Sequence, residues 1–233
     1  MKKIILALVA TCVFGVLAYA QDTAVNPAQI GVDSAQQRLK EISVNKFEDQ
    51  GFWKVSIPLD AGVISSRRVE GSPIDKKPLA AEKDAAIKEE DKYVLGIKAE
   101  FFGRTNTTLS IEAIRPLAVP GITKTISIWV VGRNNNHKLG VVCEDFFGHR
   151  AVLPLGKLNF SGWKQLTVAV PPTLEQRNPH YSNRTGIKIL GLVVEPELTE
   201  TIGSYYAYFD DLRVVTDLFA EENRDPDDIA DNW

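Results

Sequence analysis

Glu195 and Glu197, in the run Glu195-Pro196-Glu197-Leu198-Thr199-Glu200, come closer to catalytic chemistry than any other pair in the chain. On an uninterrupted strand, carboxylates two positions apart share a face at about 6.7 Å, near the spacing with which paired acids hydrolyse glycosides. Pro196 breaks that strand, however, and Glu, Pro and Thr together suit a solvated strand end, which disfavours the enzymatic reading. Cys143 lies in the apolar run 139–143 and reads as a small buried hydrophobe rather than a nucleophile. His137, His149 and His180 lack the close spacing of a zinc site, and surface loops are their ordinary setting. Neither a glycine-rich phosphate loop nor a Gly-x-Ser-x-Gly elbow is present.

Asp210 and Asp211 pose a different question, because they are adjacent acids between the aromatic run 205–209 and the apolar run 212–215. Acids in such a strand are costly unless paired, hydrogen-bonded or bound to a cation. A structural calcium held by Asp210, Asp211, Glu48 and Asp49 is one solution, since hard oxygen ligands suit that ion. The other is that strand twist turns one acid to solvent while Arg213 or Arg68 pairs with its neighbour. No other cofactor is called for.

The elements that must position these residues begin after an export signal. Lys2 and Lys3 precede an apolar run from Ile4 to Leu17, and Ala18-Tyr19-Ala20 supplies small residues at the cleavage positions, so residues 1–20 are predicted to be a cleaved signal peptide. The run is too short for a spanning helix, and no membrane anchor is expected. The whole chain of 233 residues carries a formal charge of −3; losing Lys2 and Lys3 leaves 25 basic against 30 acidic residues. Such a balance gives nucleic acid no cationic surface to bind. Only Cys143 survives cleavage, so no internal disulfide can form.

Residues 21–45 read as a polar extension with one short helix, capped by Asp33 or Ser34 and carrying Ala35, Leu39 and Ile42. From Phe47 the signal changes to strands: 93–102, 109–114, 124–132, 139–144, 163–170, 187–195 and 205–215 are short runs rich in β-branched and aromatic residues, separated by Gly, Pro or Asn. In 124–132, Ile126, Ile128 and Val130 alternate with Thr125, Ser127 and Trp129, so one face is core. Without crossover helices this pattern predicts an all-β fold, an antiparallel β-sandwich of jelly-roll, carbohydrate-binding-module or galactose-binding-like type, spanning residues 46–216. Residues 65–92 read as a long charged excursion with a helical turn near 80–87. Residues 217–233, with seven acids against Arg224, read as an acidic tail ordered by a partner if at all.

The chain resembles the FlaA-type outer-layer, or sheath, proteins of spirochaete periplasmic flagellar filaments. The resemblance is carried by Ser66-Arg67-Arg68-Val69-Glu70-Gly71-Ser72-Pro73, by 121–139 (GITKTISIWVVGRNNNHKL), by Asp145-Phe146-Phe147-Gly148, by 158–172 (LNFSGWKQLTVAVPP), and most specifically by 208–233 (YFDDLRVVTDLFAEENRDPDDIADNW). It implies a periplasmic structural protein, not an enzyme, that coats a flagellin core alongside copies of itself and other coat proteins. Such a coat contributes stiffness or curvature to the filament and so affects cell motility.

Large aromatics outside a core often anchor interfaces, which nominates Trp129, Phe146, Phe147 and Trp233 as filament contacts. Arg67, Arg68 and Arg133 are candidate cationic partners for acidic neighbours, including the tail of an adjacent subunit. The alternative from another class is a periplasmic carbohydrate-binding module, in which Trp129 and Tyr181 would stack on a glycan.

Overall fold

The computed structural model describes residues 38–79, 91–177 and 185–219. These form eleven strands: β1 Leu39–Asn45, β2 Trp53–Ser56, β3 Gly62–Glu70, β4 Tyr93–Phe101, β5 Leu109–Val119, β6 Ile122–Val131, β7 Lys138–Glu144, β8 Arg150–Lys157, β9 Trp163–Ala169, β10 Ile187–Glu195 and β11 Gly203–Asp217. Every strand pairing among the described residues is antiparallel. The larger sheet runs β3-β4-β11-β6-β9, with β1 also on β11; the smaller runs β2-β5-β10-β7-β8.

The two sheets form a sandwich because each presents one apolar face to the other. Leu95, Ile97, Ile126, Ile128, Val130 and Phe209 of the larger sheet join Ile111, Val141, Ile189 and Leu192 of the smaller in one buried cluster. Period-two alternation places these side chains inward and sends their sequence neighbours outward. Phe47 closes the cluster in a left-handed conformation (φ +60°) that is unusual for a bulky residue. Its ring stacks on Trp53 at 4.6 Å, and its N–H donates to Asn45 Oδ1 at 2.8 Å. Gly121 supplies the positive φ (+73°) of the tight turn between β5 and β6, where a Cβ would collide with the Asp217 carbonyl.

Several expectations are corrected. Leu39 and Ile42 do not stand on a helix: residues 39–45 form β1, antiparallel to 212–217, so the sheet begins inside the segment read as an extension. On a strand a spacing of three puts Leu39 and Ile42 on opposite faces, and it is Ile42 and Val44, two apart, that pack on the core. Residues 65–70 belong to β3 rather than to an excursion. The signal peptide, the helical turn near 80–87, Trp233 and most of the acidic tail lie outside the described residues.

Candidate functional site

β11 is the element that organises the chemistry. Its first half, residues 203–209, pairs with β4, and its second half, 212–217, pairs with β1. Asp210 and Asp211 fall at the change of partner, where an extra residue bulges the pairing with β6 and Asp211 takes φ +50°. Both acids are buried, and both have cations. Lys76 Nζ reaches Asp210 Oδ2 at 2.6 Å and also Asp91 Oδ1 at 2.5 Å. Arg213 holds Asp211 Oδ2 through Nε at 2.6 Å, while Ser43 Oγ donates to Asp211 Oδ1 at 3.3 Å. Arg213 Nη2 also donates to the Lys77 carbonyl at 2.6 Å, so the segment after β3 is tied over the sheet at two successive residues.

Burial, only partly offset by Lys76, pushes the Asp210 carboxyl up to about 7. For Lys76 burial pulls downward, but its hydrogen bonds to Asp210 and Asp91 outweigh it and raise the ammonium above its ordinary value.

The four acids nominated for a calcium are engaged separately. Glu48 Oε1 accepts the backbone N–H groups of Lys92 and Tyr93 at 2.8 and 3.0 Å. Asp49 Oδ1 accepts from Gly51 at 2.8 Å and caps the short turn 50–52. Neither is directed at the acid pair. Among the described residues no group of three or more His, Cys, Asp or Glu side chains is placed to hold a metal. Among the described residues the one buried carboxylate oxygen without a hydrogen-bond partner, Asp210 Oδ1, is on the group already held by Lys76. The expected alternative was half right: Arg213 pairs with Asp211, but no acid turns to solvent, and Arg68 instead reaches the Glu48 carbonyl at 3.4 Å and stacks 4.1 Å from the Tyr93 ring.

Glu195 and Glu197 line one open pocket with Lys138 and Thr108, but they do not share a strand. Glu195 is the last residue of β10, and Glu197 lies beyond Pro196, its backbone N–H donated to His137 Nδ1 at 3.1 Å. His137 is buried against Tyr205 at 4.4 Å rather than on a surface loop, and burial lowers its pKa despite Glu200 and Glu197, keeping it neutral. His149 is exposed, and His180 lies outside the described residues. Burial pushes the Cys143 thiol up to about 12, so it is an inert part of the core.

The interface candidates fall into two groups. Arg67, Trp129 and Arg133 share the outer face of the larger sheet: register aligns Arg67, Gly96, Tyr208, Val131 and Trp163 in one row, with Asp210, Trp129 and Gln165 in the next. Arg133, at φ +58° in the turn after β6, swings its guanidinium to 5.3 Å from the Tyr208 centroid. Phe146 and Phe147 belong instead to the β7–β8 turn of the smaller sheet, packed edge-on at 5.5 Å. Asp145 holds that turn by accepting the N–H groups of Phe147 and His149 at 2.8 Å each, leaving Phe147 half exposed. Tyr206 and Tyr208 were missed, although alternation with the inward Tyr205, Ala207 and Phe209 marks them as outward.

The geometry therefore defines a two-sheet β-sandwich whose distinctive feature among the described residues is an aromatic and cationic surface on the larger sheet. The flagellar filament outer layer protein FlaA family matches residues 16–224, and the chain belongs to that family. It is 33% identical to a putative flagellar filament outer layer-like protein of Brachyspira hyodysenteriae, covering 91% of this chain and 95% of that relative. A flagellar filament outer layer protein of Spirochaeta aurantia is 26% identical over 78% of this chain and 66% of its own length. Among solved structures, the family 11 carbohydrate-binding module of the cellulase Lic26A-Cel5E from Clostridium thermocellum superimposes with a TM-score of 0.44 at 11% identity, covering 76% of this chain and 95% of the module.

Proposed function

We propose that this protein is a non-catalytic structural component of the outer layer of a periplasmic flagellar filament. It is exported by a cleaved signal peptide, coats a flagellin core beside copies of itself and other coat proteins, and adds stiffness or curvature that serves motility. Membership of the outer-layer family over residues 16–224 is the observation that carries the reading. The outer face bearing Arg67, Trp129 and Arg133 and the turn bearing Phe146 and Phe147 are the contact surfaces; Arg68, engaged by Tyr93 at the β3 edge, contributes less.

Co-sedimentation of the purified mature protein with coat-stripped filaments tests this. The expected result is saturable binding that Trp129→Ala and Phe147→Ala weaken without changing the melting temperature; no binding to filaments at any salt concentration would refute it.

The reading needs no metal, because the buried acids already have protein partners. Chelation with EDTA should leave the melting temperature unchanged, and a drop of several degrees restored by calcium would contradict this.

A second reading, carbohydrate binding, is favoured by one observation: Tyr206 and Tyr208 open with Arg67 and Lys98 onto a groove in the outer face.

A further inference from the structure

The groove occupies about 360 Å³ and is lined by Ser65, Arg67, Gly96, Lys98, Tyr206 and Tyr208, in the size range of small-ligand sites. It is built by register. Arg67 stands opposite Gly96, which stands opposite Tyr208; one step along, Ser65 stands opposite Lys98, which stands opposite Tyr206. Glycine at 96 leaves room for its neighbours: a Cβ there would crowd Tyr208 Cε1 at 3.1 Å, Tyr208 Cδ1 at 3.2 Å and Val69 Cγ2 at 3.1 Å, and those side chains would have to shift. The missing side chain lets the Tyr208 ring lean across β4 and opens the space that the groove fills.

Its charge is distinctive in an acidic chain. Arg67 is exposed and has no ion-pair partner among the described residues. Lys98 is paired with Glu100 and lies 5.7 Å from the Tyr206 centroid. Arg133 stands at the other side of Tyr208, its Nη2 3.5 Å from the phenol oxygen. Asp210, on the same face, is fully buried and neutralised by Lys76, so it does not cancel the two arginines.

Tyrosine rings beside unpaired guanidinium groups and a serine hydroxyl match a particular ligand chemistry. A pyranose offers C–H faces to aromatic rings and hydroxyls to polar side chains, and a carboxylate on it would supply the charge that Arg67 lacks, in the two-pronged geometry guanidinium favours. We propose that this groove binds a saccharide bearing a carboxylate, its ring packed on Tyr206 and Tyr208 and its acid on Arg67. This deepens the carbohydrate reading and does not depend on the coat reading, since binding is measured on the isolated monomer.

The test is calorimetric titration of the purified mature protein with oligogalacturonate, oligoglucuronate and sialyllactose, using neutral galactotriose and hexa-aspartate as comparators. At least one acidic oligosaccharide should bind with a Kd below about 1 mM, at least tenfold more tightly than galactotriose or hexa-aspartate. Arg67→Ala and Tyr208→Ala should each weaken it tenfold or more, and Gly96→Val should abolish it. If Tyr208→Ala or Gly96→Val fails to fold, Arg67→Ala, at an exposed side chain, decides alone. Failure of all three acidic probes to bind, equal binding by Arg67→Ala, or hexa-aspartate binding as tightly as the sugars would overturn the proposal. None of those results would alter the filament co-sedimentation.

Discussion

The outer faces of the two sheets differ in kind. On the smaller sheet, Ile114, Val142 and Val193 line a shallow depression with Glu112 and Arg150 but without a single aromatic ring, and Val152, opposite Val142 on edge strand β8, stays about half exposed. On the larger sheet, Tyr206, Tyr208, Trp129 and Trp163 are set among Arg67, Lys98 and Arg133, and the part around Asp210 is sealed by the segment carrying Lys76. Isolated aliphatic groups on a sheet surface are ordinary, whereas clustered outward aromatics and guanidinium groups are the materials of recognition. One fold thus separates a plain face from a specialised one, and within the specialised face it separates a buried ionic zone from an open aromatic one.

The comparison breaks most severely if the ionic zone is disturbed. Lys76→Met leaves Asp210 buried beside Asp91 without its cation, and truncating one member of a buried pair is costly, so a loss of about 3 kcal/mol is expected in urea unfolding. The pH dependence follows from the raised Asp210 carboxyl. Because its proton is held more tightly in the fold (about 7) than in the unfolded chain (3.8), its contribution is complete below about pH 4 and is lost as pH rises through 7. Lys76, whose proton is also held more tightly in the fold, contributes in the same sense but at higher pH, so its share is intact at neutral pH and is lost only in alkali. The variant should therefore regain stability between pH 7 and pH 5 more steeply than the parent; a parallel pH profile would place the cost elsewhere.

Adjacent positions on β6 sharpen the contrast further. Ile128 is fully buried and Trp129 points outward, so Ile128→Ala should cost about 2–5 kcal/mol and Trp129→Ala less than about 1 kcal/mol, while only the latter reduces filament binding in a folded protein. Loss of the cooperative thermal transition in Trp129→Ala would reassign that side chain to the core. Smallest of all, Val152→Thr on the plain face should change stability by no more than about 0.5 kcal/mol and leave filament binding unaltered. Reduced binding there would make both faces contact surfaces.

Strands with strong apolar alternation were legible in the sequence: β4, β5, β6, β7, β9, β10 and β11 all lie where β-branched and aromatic residues cluster. The strands missed have physical reasons for being silent. β3 (GVISSRRVE) and β8 (RAVLPLGK) are edge strands, where exposed polar residues and Pro154 are tolerated because one side makes no ladder. In short β1 the step from Leu39 to Ile42 reads as helix and only Ile42 and Val44 alternate as a strand does, so pairing with β11 some 170 residues away decides between them. The acid pair was recognisable as a problem needing a cation, but its solution was not, because Lys76 and Asp210 are separated by 134 residues. Trp129 and Arg133 could be nominated by type; that they join Arg67 and the two tyrosines depends on register, which composition does not encode.

The most direct test of the central claim is cryo-electron microscopy of periplasmic flagella isolated from parent cells and from a strain lacking this chain. A coat protein predicts density outside the filament core that accommodates the two-sheet sandwich, disappears in the deletion, and takes filament thickness or curvature with it. Identical filaments from both strains, with the protein recovered free of them, would contradict the account.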